Sequence, residues 1–209
     1  VTKDQVVPML ERSFGGWKAE GQPPARADLP DAPQPASRSI VLVDKPGAAQ
    51  SQVRIGWVGV PRATPDYFPL TVANTLLGGS FTSRLNTNLR ETHGYAYGAF
   101  SQFAMRREAG PFFAGAGVQT DKTAESVREF FNEFDAIRTP IPVDEFGKAQ
   151  RNVALSFPGE FETTGDLLAR LQAKVALELP DDVYATYVQK VSAVTPVEAS
   201  KAMTARVQP

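Results

Sequence analysis

The stretch Leu77-Gly78-Gly79-Ser80-Phe81-Thr82-Ser83-Arg84-Leu85-Asn86-Thr87-Asn88-Leu89-Arg90-Glu91-Thr92-His93-Gly94-Tyr95-Ala96-Tyr97 joins two helices to a strand. The first helix follows Asp66 and carries Phe68, Val72, Leu76 and Leu77, and Gly78 and Gly79 end it. The second places Phe81, Leu85 and Leu89 at i, i+4 and i+8 on one face. Gly94 is a terminator, and Tyr97–Phe103 reads as a strand. Arg90 therefore closes a helix and Tyr97 opens the strand after it. The break at Gly94 lets both side chains point into one cleft. A guanidinium and a phenol together offer donors for carbonyl oxygens or a developing oxyanion. An arginine at a helix end also commonly bonds the last carbonyls, and on spacing alone both readings stay open.

Outward from this junction, Ile40–Val43 and Val53–Val60 are β-branched runs separated by Pro46 and Gly47, and they read as strands in one sheet. Tyr97–Phe103 and Pro111–Val118 read as a strand pair joined by a polar turn around Arg106 to Gly110. Asp121 opens an amphipathic helix with Val127, Phe130, Phe131, Phe134 and Ile137 inward, and Pro140 and Pro142 break the chain after it. Helical periodicity returns through Leu155. After Pro158 and Gly159 it resumes with Leu167, Leu168, Leu171, Val175 and Leu179, up to Pro180. Asp181 can cap a further helix, and Thr195, Pro196 and Glu198 form the start of the last one. Strands, two helices, strands and then several helices predict an α+β domain with a mainly antiparallel mixed sheet packed against several helices.

At the other end, Thr2 and Gln5 form a capping-box pattern before Val6, Val7, Leu10 and Phe14, and Gly15 and Gly16 stop that helix. A proline-rich stretch from Gln22 to Ser39 follows. Residues 1–38 thus read as a helix and linker belonging to a preceding domain, and residues 39–209 as the main domain. The chain opens at Val1 without an initiator methionine, which reads as a fragment or a processed form.

With 22 basic and 23 acidic residues the formal charge is −1, and no basic block runs along the chain, which argues against a nucleic-acid partner. No apolar run approaches the roughly 20 residues a membrane helix needs. Cysteine is absent, so disulfide and thiolate chemistry are excluded. The compartment is left open, the bacterial periplasm being one candidate.

A mononuclear catalytic zinc site takes three protein ligands. His93 is the single histidine, so no metal site is expected in this chain, and His93 reads as a surface or capping residue. No G-x-S-x-G elbow supports a serine triad. Gly78-Gly79-Ser80 lacks the Gly-Lys-Ser/Thr of a phosphate loop and lies between helices, so it reads as a tight turn. The carboxylate pairs Asp144/Glu145 and Glu160/Glu162 read as solvated helix faces.

The segments Leu77–Leu85 and Asn88–Tyr97 closely resemble the second, zinc-free domain of the pitrilysin-type metallopeptidases. That family includes insulin-degrading enzyme, mitochondrial processing peptidase and bacterial two-domain peptidases. Its second domain carries a glycine-rich turn, then S-R-L, then R-E-x-x-G-x-x-Y. Arg90, Glu91, Gly94 and Tyr97 match the last pattern position for position. The helix ending Phe14-Gly15-Gly16-Trp17, the strand Val53–Val60 and Thr195-Pro196-Val197-Glu198 also sit where the family would place them. The resemblance implies a domain that binds unfolded peptide and assists its hydrolysis. Tyr97 would bond the carbonyl oxygen as it becomes an oxyanion, Arg90 would hold a neighbouring peptide carbonyl, and Gly79 and Ser80 would lie along the substrate. It further implies no cofactor in this chain. Zinc is expected in a partner domain with H-x-x-E-H, either upstream in the same polypeptide or on a companion subunit. The alternative is a non-catalytic partner or structural subunit of the same family without its own zinc.

Overall fold

The computed structural model describes residues 2–18, 20–22 and 30–207. These form two compact units, Val1–Pro30 and Asp31–Pro209. The first holds helix α1 (Lys3–Phe14), whose Thr2 N–H donates to Gln5 Oε1 at 3.0 Å. Trp17 folds back edge-on to Phe14, with ring centroids 5.0 Å apart. The part of the proline-rich stretch at 23–29 lies outside the described residues.

The second unit is built on a three-stranded sheet of order β1-β3-β2, with β1 Gln50–Val58, β2 Ala96–Phe103 and β3 Pro111–Gln119. Both pairings are antiparallel, with Val53 opposite Ala116 and Ala99 opposite Ala116 across the other edge of β3. Period-two alternation turns Phe112, Ala114, Ala116 and Val118 of β3 to the buried side.

Helices supply the other layer. They are α2 (Tyr67–Asn74), running into a π turn (Thr75–Gly79), α3 (Arg84–Asn86), running into a second π turn (Thr87–Thr92), and α4 (Thr123–Ile137) after a 3₁₀ turn. Then come α5 (Val143–Ser156), α6 (Thr164–Ala176), α7 (Tyr187–Ala193) and α8 (Pro196–Arg206). The last begins as its sequence predicts: Glu198 N–H donates to Thr195 Oγ1 at 3.3 Å, and Thr195 N–H to Glu198 Oε2 at 2.8 Å.

α4 packs on β1 and β3 through an aromatic cluster. Trp57 stacks on Phe112 at 4.3 Å and meets Phe134 edge-on at 5.6 Å, while its indole N–H donates to the Arg206 carbonyl at 2.9 Å. Phe112, Phe130 and Phe134 are fully buried.

Four readings of the sequence need correction. Ile40–Val43 is not a strand: it has no regular structure, and its four residues are 95, 83, 89 and 80% exposed. High β-propensity becomes a strand only when the segment pairs with an edge, and this segment does not join the outer edge of β1. Phe81 does not share the buried face of Leu85 and Leu89, because the helix begins only at Arg84, after Ser83 in extended conformation. Asp181 caps no helix; it pairs with Lys174 at 2.6 Å, and α7 begins at Tyr187. Glu145 is not merely solvated: it forks onto Arg84, with Arg84 Nε donating to Oε1 at 2.7 Å and the NH2 group to Oε2 at 2.6 Å. This bond raises the Arg84 guanidinium above its ordinary pKa and ties α3 to α5. The apolar stripe Leu167, Leu168, Leu171 and Val175 on α6 is helical as expected but faces outward.

Truncating the aromatic cluster tests which contact carries the core. Phe134→Ala removes a fully buried ring touching Trp57, Phe112, Phe130 and Phe131, and should cost roughly 3–5 kcal/mol in a urea melt. The same change at exposed Val197 should cost under about 0.5 kcal/mol.

Candidate functional site

Three short segments meet at the outer edge of β2: the turn Gly78–Ser83, the end of the second π turn, and the first residues of β2. Each is held in a way that follows from its residues. Gly78 lies so close to β2 that a Cβ there would stand 2.5 Å from Ser101 Oγ and 2.8 Å from Leu85 Cδ1. Only glycine lets the two segments approach this far.

Asn86, a buried amide, joins the turn to β2. Its Nδ2 donates to the Ala99 carbonyl at 2.7 Å, to the Ser80 carbonyl at 3.1 Å and to Ser83 Oγ at 3.2 Å, and its Oδ1 accepts from the Ala99 N–H at 2.9 Å. Asn74 repeats the device two residues along, donating to the Ser101 carbonyl at 3.0 Å and accepting from Ser101 Oγ at 2.8 Å. On the free edge of β2, side-chain amides thus satisfy the Ala99 N–H and C=O and the Ser101 C=O.

The junction after the helix is fixed as tightly. Gly94 has φ +65°, the left-handed conformation that favours glycine. Its N–H donates to Arg90 C=O at 3.2 Å, and Tyr95 N–H donates to Leu89 C=O at 2.8 Å. Gln119, at the end of β3, clamps the turn: its Nε2 donates to the Gly94 carbonyl at 2.7 Å and its N–H to the Tyr95 carbonyl at 2.9 Å. The β2–β3 register then slips between Ala96 and Ala99, an irregularity that contains Tyr97 and Gly98. Such bulges re-aim a side chain.

Arg90 and Tyr97 are brought together as a result. The Arg90 guanidinium carbon lies 5.2 Å from the centroid of the Tyr97 ring and 4.3 Å from that of Phe81. Arg90 Nε also pairs with exposed Glu91 at 3.1 Å. Tyr97 is 85% exposed. Gly79 is exposed at the end of the first π turn, and Ser80 is half-buried, its carbonyl taken by Asn86 and the Ser83 N–H. His93 is on the surface: its ring stacks on Tyr95 at 4.9 Å and its Nε2 lies 3.9 Å from Glu129. Asn88 donates to that same Glu129 at 3.1 Å, holding its carboxylate below the usual range. A pocket of about 260 Å³ nearby is lined by Thr82, Arg84, Asn88, Glu133 and Glu145, and by neither Arg90 nor Tyr97. In it Arg84 pairs with Glu145 and Asn88 Nδ2 donates to Glu133, while Asn88 Oδ1 is buried without a partner.

Phe81, Asn86 and Gln119 are the parts of this site that the sequence reading passed over. Asn86 stands in the polar run Asn86-Thr87-Asn88, and no pattern marks it. Phe81 was assigned to the core by its spacing.

Among the described residues no group of three or more histidine, aspartate or glutamate side chains could hold a metal. The described residues therefore do not fit a zinc site. Among the same residues no helix is long and apolar enough to cross a membrane.

Residues 1–153 match the family described as the peptidase M16 inactive domain, and the chain belongs to that family. It is 27% identical to the uncharacterized zinc protease SCO5738 of Streptomyces coelicolor over 204 residues, covering 88% of this chain and 44% of that protein. The chain thus spans less than half the length of this curated relative. The fold is shared with a peptidase M16 inactive domain from Pseudomonas fluorescens, at 23% identity and TM-score 0.80, covering 89% of this chain and 44% of the other. It is shared as well with a protease from Helicobacter pylori, at 18% identity and TM-score 0.87, covering 100% and 51% of the two chains. The α+β fold and the resemblance to the zinc-free domain of this peptidase family both hold.

The role of Asn86 is open to direct test. In Asn86→Ala the buried Ala99 N–H and C=O lose their partner, which should cost on the order of 2–3 kcal/mol in chemical denaturation. Amide exchange should quicken at Ala99 before it does at Ala116 in the central strand.

Proposed function

We propose that this chain is the substrate-binding and transition-state-assisting domain of a zinc-dependent peptidase acting on unfolded peptides. The observation that carries the proposal is the convergence of Arg90 and Tyr97 at one exposed site, fixed from below by Asn86 and Gln119. Tyr97 presents a phenol at the tip of a bulged, braced strand. Its hydroxyl donates to the scissile carbonyl oxygen as negative charge develops there. Arg90 donates its outward N–H groups to a neighbouring peptide carbonyl, with Gly79 and Ser80 bordering the peptide. Backbone carbonyls occur in every peptide, so this pair confers binding without demanding a particular sequence.

The zinc is assigned to a partner domain carrying H-x-x-E-H, in the same polypeptide or on a companion subunit. That relatives in this family exceed the chain twofold in length supports this, as does their description as zinc proteases. The two donors then reach the peptide only when the halves close, and water leaves as they do. A second reading draws on the family's description as an inactive domain: the parent has no zinc of its own and serves as a partner or structural subunit. Zinc analysis of the purified parent tells whether the zinc domain lies in the same polypeptide. One zinc per polypeptide supports that form of the first reading and overturns the second.

Mutant kinetics on the complete peptidase test the two roles. Tyr97→Phe should lower kcat by about 10²–10³ with KM little changed, as expected of a bond made only in the transition state. Arg90→Ala should raise KM along with any fall in kcat, because peptide is held in the ground state as well. Zinc content should be unaltered in both. Wild-type kcat/KM in both variants, with folding and zinc intact, would reduce the pair to packing residues.

A further inference from the structure

Phe81 has no explanation in the fold. It is 68% exposed, although it sits between two glycines' worth of tight turn and a helix whose apolar residues are all buried. Nor is it on a loose loop. Ser83 N–H donates to the Ser80 carbonyl at 3.2 Å, and Asn86 holds both Ser80 and Ser83, so the ring stands on a fixed base. Its contact is Arg90, whose guanidinium lies over the ring at 4.3 Å. Tyr97 contributes a second exposed ring to the same guanidinium at 5.2 Å. Neither ring meets another aromatic ring among the described residues.

We propose that Phe81 and Tyr97 form a subsite for a bulky apolar side chain, aromatic above all, on the peptide that Arg90 holds. The proposal rests on the reading of Arg90 as a peptide-carbonyl donor. Three features favour an apolar occupant. Two exposed rings on a braced frame offer apolar area that needs little ordering when a ligand covers it. Glu91, paired with Arg90 at 3.1 Å, offsets the positive charge that would otherwise attract a carboxylate side chain. An extended peptide rises about 3.3 Å per residue, so the side chain beside the held carbonyl lands within reach of rings that touch the same guanidinium.

The test measures binding by the complete parent protein, treated with a chelator so that peptide is not consumed. Two fluorescently labelled unstructured peptides are used. One carries a single Phe in an Ala/Ser background, and the other has Ala in its place. Wild type should bind the Phe peptide roughly tenfold more tightly, the scale expected for covering one aromatic side chain. In Phe81→Ala that ratio should fall to within about twofold, with affinity for the Ala peptide kept. Arg90→Ala should weaken both peptides together. An unchanged ratio in Phe81→Ala, or no preference in wild type, overturns the subsite even if Arg90→Ala weakens both peptides. A ratio lost in Phe81→Ala with no effect of Arg90→Ala keeps the apolar subsite and overturns the reading of Arg90.

Discussion

The hydrogen bonds of Asn86 are the constraint on which the rest of the site depends. A strand at the edge of a sheet leaves a row of unpaired backbone groups, and here β2 is such a strand. Asn86 answers Ala99 on both its N–H and its C=O, as a neighbouring strand would, and Asn74 answers Ser101. Because the same Asn86 amide also takes the Ser80 carbonyl, the glycine-rich turn and the edge strand cannot move independently. Buried amides with every partner in place specify one arrangement, since any slip leaves polar groups unpaired.

That rigidity gives the exposed groups their meaning. Tyr97 and Phe81 are exposed and Arg90 is half-buried, and each is carried by backbone fixed from within. Gly94 reverses the chain, Gln119 clamps it, and the bulge at Tyr97–Gly98 turns the phenol outward. Preorganised donors lose little freedom when a ligand arrives, which is how a hydrogen bond worth little in water becomes useful in a closed site. The Arg90 guanidinium lies within cation–π distance of both the Phe81 and the Tyr97 ring.

Much of this was legible in the sequence, for identifiable reasons. The β2–β3 pair, α4 with its inward phenylalanines, and the Thr195–Glu198 start of α8 came from strong local patterns that the tertiary structure reinforces. Arg90 and Tyr97 were visible because a glycine break between a helix and a strand brings their side chains to one end of both. Failures came where local pattern and surroundings disagree. Ile40–Val43 has the composition of a strand but pairs with no edge, and the apolar stripe of α6 is left exposed among the described residues. Phe81 fits a helical spacing that starts one turn too early, because Ser83 is still extended. Asn86 was missed because its partners lie on a strand thirteen residues on, which periodicity does not show.

The central claim is that Tyr97 and Arg90 meet the peptide at its reacting carbonyl and its neighbour. A structure of the complete parent protein with a peptidic phosphonate, a tetrahedral transition-state analogue, tests it most directly. The account predicts the Tyr97 hydroxyl about 2.7–3.1 Å from a phosphonyl oxygen and the Arg90 guanidinium on an adjacent backbone carbonyl. A bound analogue with both groups still in solvent, beyond a hydrogen-bond reach of about 3.5 Å, would contradict it.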